Sequence, residues 1–126
     1  MNHEEYAVMY QVEDHHWWYL GMERITCYLL DRQLAQSGTL RILDAGCGTG
    51  AVMNYLAHYG QPFGFDFAAE ALRFCRQRGH RSLTQASAMT LPYASGVFDL
   101  ITSFDVISEF GVETAQALHE LSLIHI

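Results

Sequence analysis

At 126 residues, half of them hydrophobic, the chain has apolar material for one domain with a core and not for two. A net charge of −7, with arginine as its only strong base and no lysine, sets nucleic acid aside as the main partner. No run of about 18 apolar residues and no basic-then-apolar leader occurs, so neither a membrane span nor a signal peptide is expected. The three cysteines, Cys27, Cys47 and Cys75, are odd in number and stand in unrelated contexts. Reduced thiols in a cytoplasmic protein follow from that, rather than a disulfide framework.

In chain order, residues 3–14 and 17–36 read as helices, with Gly38 closing the second. Between them, His15-His16-Trp17-Trp18-Tyr19-Leu20-Gly21 reads as an aromatic patch packing an N-terminal helix onto the sheet. No further ligands stand at helical spacing from the paired histidines, and His119-Glu120 lacks a second histidine, so no metal site is expected. A strand over 40–44 runs into a glycine turn, and a helix over 50–59 ends at Gly60. Gln61–Asp66 is a second strand, and Ala68–Arg78 a helix of strong formers stopped by Gly79. Arg73, Arg76, Arg78 and Arg81 read as its solvated face running into a turn. A short third strand falls near 82–86, a loop at Leu91-Pro92 and Ser95-Gly96, and a fourth strand over Phe98–Phe104. Strand–helix alternation implies an α/β fold, a doubly wound parallel sheet with right-handed crossovers. Ligands of such sheets sit beyond the carboxyl ends of the strands, at the switch point beside strand one.

The glycine turn carries most of the functional information. In Arg41-Ile-Leu-Asp44-Ala45-Gly46-Cys47-Gly48-Thr49-Gly50 an apolar run ends in an acid and three glycines follow at spacing two. Such a loop admits backbone close to a ligand where a Cβ would collide. Dinucleotides and S-adenosylmethionine both use it, and Gly46-x-Gly48-x-x-Ala51 satisfies the loose dinucleotide pattern. Asp44 favours the second. A carboxylate beside a pyrophosphate is repelled by roughly 1–4 kcal/mol at surface-like dielectric constants, whereas a sulfonium and an ammonium are attracted. Alternatively Asp44 only caps the turn. Asp66, 20 residues after Gly46, ends strand two where an acid can accept from both ribose hydroxyls, or where it can simply cap the next helix.

These residues resemble the class I S-adenosylmethionine-dependent methyltransferases over about residues 40–110, and within them the small-molecule "type 11" group. The glycine loop, Gly64-Phe65-Asp66 followed by Glu70-Ala71-Leu72, and Leu91-Pro92-Tyr93 with Phe98-Asp99-Leu100-Ile101 carry the likeness, in order and at the family's spacing. The resemblance implies a Rossmann-like sheet binding S-adenosylmethionine and methyl transfer to a small-molecule acceptor. On it, Asp44 and the backbone of Ala45, Gly46, Cys47 and Gly48 hold the methionine end, Asp66 the ribose, and Phe67 the adenine face. Ser87, Ala88 and Met89 face the adenine edge, and Phe104 the methionine through its main chain. Ser87 stands where the family often has Asp, and Ser108-Glu109 where it often has Glu-His. Related enzymes place an arginine after a Trp-rich lid, which makes Arg24 a candidate partner for the cofactor carboxylate. Asp105 and Glu109 lie where an acceptor approaches and either could serve as a base, but an acid at a strand-to-helix turn is more often a cap, so neither is assigned a catalytic role.

The resemblance divides the chain into an N-terminal helical lid (1–38) and an incomplete cofactor domain (39–120), while Leu121-Ser122-Leu123-Ile124-His125-Ile126 (121–126) reads as a non-native tail, like a translated sequencing adaptor. A complete sheet of that family has more strands than the four read here. The chain is therefore expected to be the front half of a larger enzyme, inactive and aggregation-prone alone. Two other readings stand beside methyl transfer: a nicotinamide-dependent oxidoreductase domain, and a non-catalytic adenosyl-binding module.

Overall fold

Ile42, Leu43, Asp44 and Ala45 form an unbroken buried run, the pattern of a parallel strand covered on both faces. In the computed structural model, which describes residues 2–34, 39–104, 106 and 113–125, that run is the middle of the sheet. Strand β1 (Leu40–Ala45) pairs in parallel with β2 (Gly60–Asp66) on one side and with β4 (Leu100–Ser103) on the other. Strand β3 (Leu83–Gln85) lies parallel outside β2, giving the order β3-β2-β1-β4. The order reverses at β1, so a crevice opens beyond its carboxyl end. The chain has the Rossmann-like fold expected from its sequence, with helices ahead of the sheet.

Side chains of β1 alternate between two apolar layers. Leu43 and Ala45 join Phe65, Leu91, Phe98, Leu121 and Ile124 on one face, while Ile42 joins Tyr55, Leu56 and Tyr59 on the other. Each fully buried Leu, Ile or Phe of these layers contributes about 1.5–3 kcal/mol relative to exposure.

Five helices flank the sheet among the described residues: α1 (His3–Val12), α2 (Trp17–Gln33), α3 (Ala51–Leu56), α4 (Ala69–Gln77) and α5 (Thr114–Ile124). Asn2 caps α1 in a reciprocal box with Glu5, satisfying two amides that the first turn leaves without partners. α4 buries Ala71, Leu72, Phe74 and Cys75 as one helical stripe. It ends in a Schellman turn, with Gly79 at φ +95° and the His80 amide reaching the Cys75 carbonyl.

Beyond shifts of a few residues at element ends, the structure departs from the sequence reading in four places. The fourth strand covers Leu100–Ser103 rather than 98–104, because the Phe98 amide bonds the Ile124 carbonyl and Asp99 turns to clasp Arg41. α3 stops at Leu56, where His58 and Tyr59 take carbonyls three residues back and tighten the last turn. The aromatic patch does not pack α2 onto the sheet: Trp17 is 74% exposed, and Cys27, Leu30 and Leu34 make that contact instead. Helix α5 was not anticipated; Glu113 caps it through the Ala115 and Gln116 amides, and it continues through the 120/121 border to bury Leu121 and Ile124. Gly38, Asp105, Ser108 and Glu109 lie outside the described residues.

Candidate functional site

The crevice begins where β1 turns into α3. Gly46, Gly48 and Gly50 all take left-handed backbone, at φ +74°, +53° and +93°. A Cβ on Gly46 would stand 2.0 Å from Val106 Cγ2, so both conformation and space require glycine there. The turn is held by β2. The Cys47 amide donates to the Phe65 carbonyl at 2.8 Å, and the Gly48 amide to Asp66 Oδ2 at 2.9 Å.

A cavity of about 740 Å³ lies over this turn, within the size range of small-molecule sites. Its walls include Tyr6, Met9 and Glu13 near α1, Trp18, Tyr19, Met22 and Glu23 of α2, and the acids Asp44 and Asp66 at the strand ends. No described residue lining it is Lys, Arg or His. Parallel register sets Thr102 opposite Asp44, and the Thr102 hydroxyl donates to Asp44 Oδ1 at 2.8 Å. Asp44 is 2% exposed. Burial pushes its carboxyl up to about 7, against the Thr102 hydrogen bond and with help from the negative charges of Asp66 and Glu13. Asp66 accepts from the Gly48 amide with one oxygen and from the Ala68 amide with the other, at 2.9 Å each. Each carboxylate oxygen keeps a further lone pair for a ligand hydroxyl.

Arg78 departs from the solvated face on which its neighbours sit. Its guanidinium pairs with Glu13 at 2.7 Å and with both Asp14 oxygens at 2.9 Å, and donates through Nε to the Thr49 carbonyl at 2.8 Å. It also lies 4.6 Å from the Tyr10 ring centroid. The Thr49 hydroxyl donates to Glu13. Burial raises the Glu13 carboxyl while Thr49 and Arg78 pull it back. One cation thus joins the end of α1, the glycine turn and the end of α4 beside the cavity. Sequence spacing gave no sign of it, since its acidic partners stand 64 and 65 residues away.

Of the residues singled out in the sequence, Asp44, Gly46, Cys47, Gly48, Asp66, Phe67, Ser87, Ala88, Met89 and Phe104 all line this one cavity. Phe67 presents its ring openly, 77% exposed. Ser87 spends its hydroxyl on the Met89 amide at 3.1 Å. Ala45 is not in the wall, because strand alternation turns its methyl into the core. Arg24 is exposed and outside the wall: Trp18, Tyr19, Met22 and Glu23 share the inner face of α2, and Arg24 falls on the opposite side. Cys47 and Cys75 do not stand in unrelated contexts, for their sulfurs touch at 3.7 Å.

A family model described as "Methyltransferase domain" matches residues 43–124. The chain is also similar to several solved structures. One is described as an S-adenosyl-L-methionine-dependent methyltransferase from Methanococcus maripaludis (17% identity, TM-score 0.83, 98% of this chain and 59% of that one). Another is an S-adenosylmethionine-dependent methyltransferase from Mesorhizobium loti (26%, TM-score 0.63, 78% and 47%). A third is the YcgJ protein of a Bacillus (24%, TM-score 0.67, 81% and 46%). The chain spans about half the length of these solved relatives. A comparison with curated protein sequences found no match.

Proposed function

We propose that this chain, which belongs to the methyltransferase-domain family, carries the cofactor site of an S-adenosylmethionine-dependent methyltransferase with a small-molecule acceptor. The observation that supports it is a buried carboxylate, Asp44, in the wall of a cavity to which no described cation contributes. A pyrophosphate there would meet negative charge, and two turn amides that could greet it are already bound to β2. The donor set suits S-adenosylmethionine instead. Asp44 would face its ammonium, Asp66 its ribose hydroxyls, Phe67 an adenine face, and the Ser87–Met89 segment the adenine edge.

When bound, that cofactor supplies a methyl group on a positively charged sulfur, already activated for transfer. The chain's own residues would orient it and keep water away. Asp44 fixes one end from the rigid strand, Asp66 the other, and α1 and α2 roof the space with Tyr6, Met9, Trp18 and Met22. No helix among the described residues is long and apolar enough to cross a membrane.

Calorimetric titration with S-adenosylhomocysteine tests the reading. Saturable binding is expected, weakened at least roughly 30-fold in Asp66→Ala, as for losing hydrogen bonds to a charged group. Because Asp66 also pins the glycine turn, circular dichroism must show that the variant is folded. Tighter binding of NADH, or no binding of either ligand by a folded chain, overturns it.

A further inference from the structure

We propose that Cys47 and Cys75 are a peroxide-sensitive site that closes to an intramolecular disulfide when the cavity is empty and is shielded when it is filled. The shielding rests on the cofactor reading given above; the chemistry of the pair does not.

Three observations carry it. The two sulfurs are 3.7 Å apart, although the residues are separated by 28 positions. Cys75 donates its S–H to the Gly48 carbonyl at 3.1 Å, which leaves its sulfur free to accept from Cys47. Cys47 also belongs to the cavity wall, whereas Cys75 lies behind it, fully buried beside Met53 and Leu72. An oxidant small enough to enter the cavity therefore meets one sulfur first and finds the second directly behind it.

Closing the bond requires the sulfurs to approach to about 2 Å. Cys47 stands between two glycines in left-handed backbone, the part of the chain best able to make that shift. The movement has a cost that links it to binding. It removes the hydrogen bond on the Gly48 carbonyl and pulls the turn toward α4, away from the cavity.

The reaction balances with peroxide as oxidant. The Cys47 sulfur attacks a peroxide oxygen, the O–O bond breaks, and a sulfenic acid and one water form. The Cys75 sulfur then displaces the sulfenic hydroxyl, the S–S bond forms, and a second water leaves with the thiol proton. Two thiols and one hydrogen peroxide give one disulfide and two waters. The hydrogen bond to Cys75 and burial both push the Cys47 thiol far up, so it stays protonated at neutral pH. The thiolate is the nucleophile, so a thiol held protonated reacts more slowly than exposed, low-pKa ones; the cavity decides which of the two sulfurs an oxidant meets first.

The test uses the intact chain, reduced and then treated with hydrogen peroxide with and without saturating S-adenosylhomocysteine. Trypsin places the three cysteines in separate peptides, 25–32, 42–73 and 74–76, so mass spectrometry assigns every link. The expected product joins 42–73 to 74–76, reverts with dithiothreitol, and forms about tenfold more slowly with ligand present. Cys75→Ser is expected to leave a sulfenic acid on Cys47 that dimedone traps; should that variant misfold, the wild-type map still decides. Links through Cys27, irreversible oxidation of Cys47 without a link, or equal rates with and without a ligand that calorimetry shows to bind overturn the proposal. Calorimetry on the reduced chain separates the two readings. A disulfide without ligand binding refutes the cofactor assignment, and ligand binding without a disulfide refutes this one.

Discussion

Raising the pH from 6 to 8 should tighten the binding of S-adenosylhomocysteine by close to an order of magnitude, and Asp44 sets the size. Its carboxyl, pushed up to about 7 by burial, is about one-eleventh ionised at pH 6 and about ten-elevenths at pH 8. If only the carboxylate pairs with the ligand's ammonium, the dissociation constant falls about tenfold across that interval, or about 1.4 kcal/mol. The groups nearest Asp44 are Thr102, which does not titrate, and the acids Asp66 and Glu13. Glu13 is tied to Arg78. His80, against the Gly50 carbonyl, is held below its ordinary value by burial. Stability of the empty chain runs the other way. A carboxyl raised in the folded state stabilises fully below its unfolded value near 4 and loses that contribution as pH rises to about 7, an upper figure of roughly 4 kcal/mol. The empty chain should therefore melt lower at pH 8 than at pH 5, with ligand narrowing the gap. Calorimetry in two buffers of different ionisation enthalpy should show proton release on binding near pH 6. A dissociation constant flat from pH 6 to 8, or the same slope in Asp44→Asn, would refute the reasoning.

Thr102→Val removes the hydrogen bond that holds the Asp44 carboxyl down, so the midpoint of the binding–pH curve should move upward. Arg78→Met leaves Glu13 buried without its cation and should lower stability by roughly 3–5 kcal/mol in urea melts. Adding Glu13→Gln should recover part of that loss, and strict additivity of the two would argue against a coupled pair. Gly79→Ala meets open space and suffers only its positive φ, costing about 1 kcal/mol; Gly46→Ala adds a clash with Val106 and should abolish ligand binding even where the chain still folds.

The sequence was most readable where local rules decide structure. The apolar run ending at Asp44, the glycine turn and the helix ending at Gly79 follow from side-chain period, φ preference and capping, each confined to a few neighbouring residues. Asp66 was placed correctly at a strand end, yet its two hydrogen bonds to Gly48 and Ala68 show it serving structure as well. What was missed depends on distant partners. Arg78 stands among three other arginines and only the fold brings it to Glu13, Asp14 and Thr49. Cys47 and Cys75 touch because α4 crosses behind the glycine turn. Arg24 was placed by likeness to a lid, and helical phase put it on the other face. Phe98 looked like strand because it is apolar, but its amide answers to Ile124 rather than to the sheet.

Among the described residues β1 and β2 are each hydrogen-bonded along both edges, while β3 and β4 are each bonded along one. The amides of these two interior strands, shielded by a neighbour on either side, are expected to be the last to exchange with deuterated water. Asp44 is rooted in the first of them. α1, by contrast, belongs to no ladder, and its C-terminal end is moored to the glycine turn by the single guanidinium of Arg78 and the hydroxyl of Thr49. The two walls of the cavity therefore open on different clocks: the roof can lift and resettle many times while the acid beneath it keeps its place.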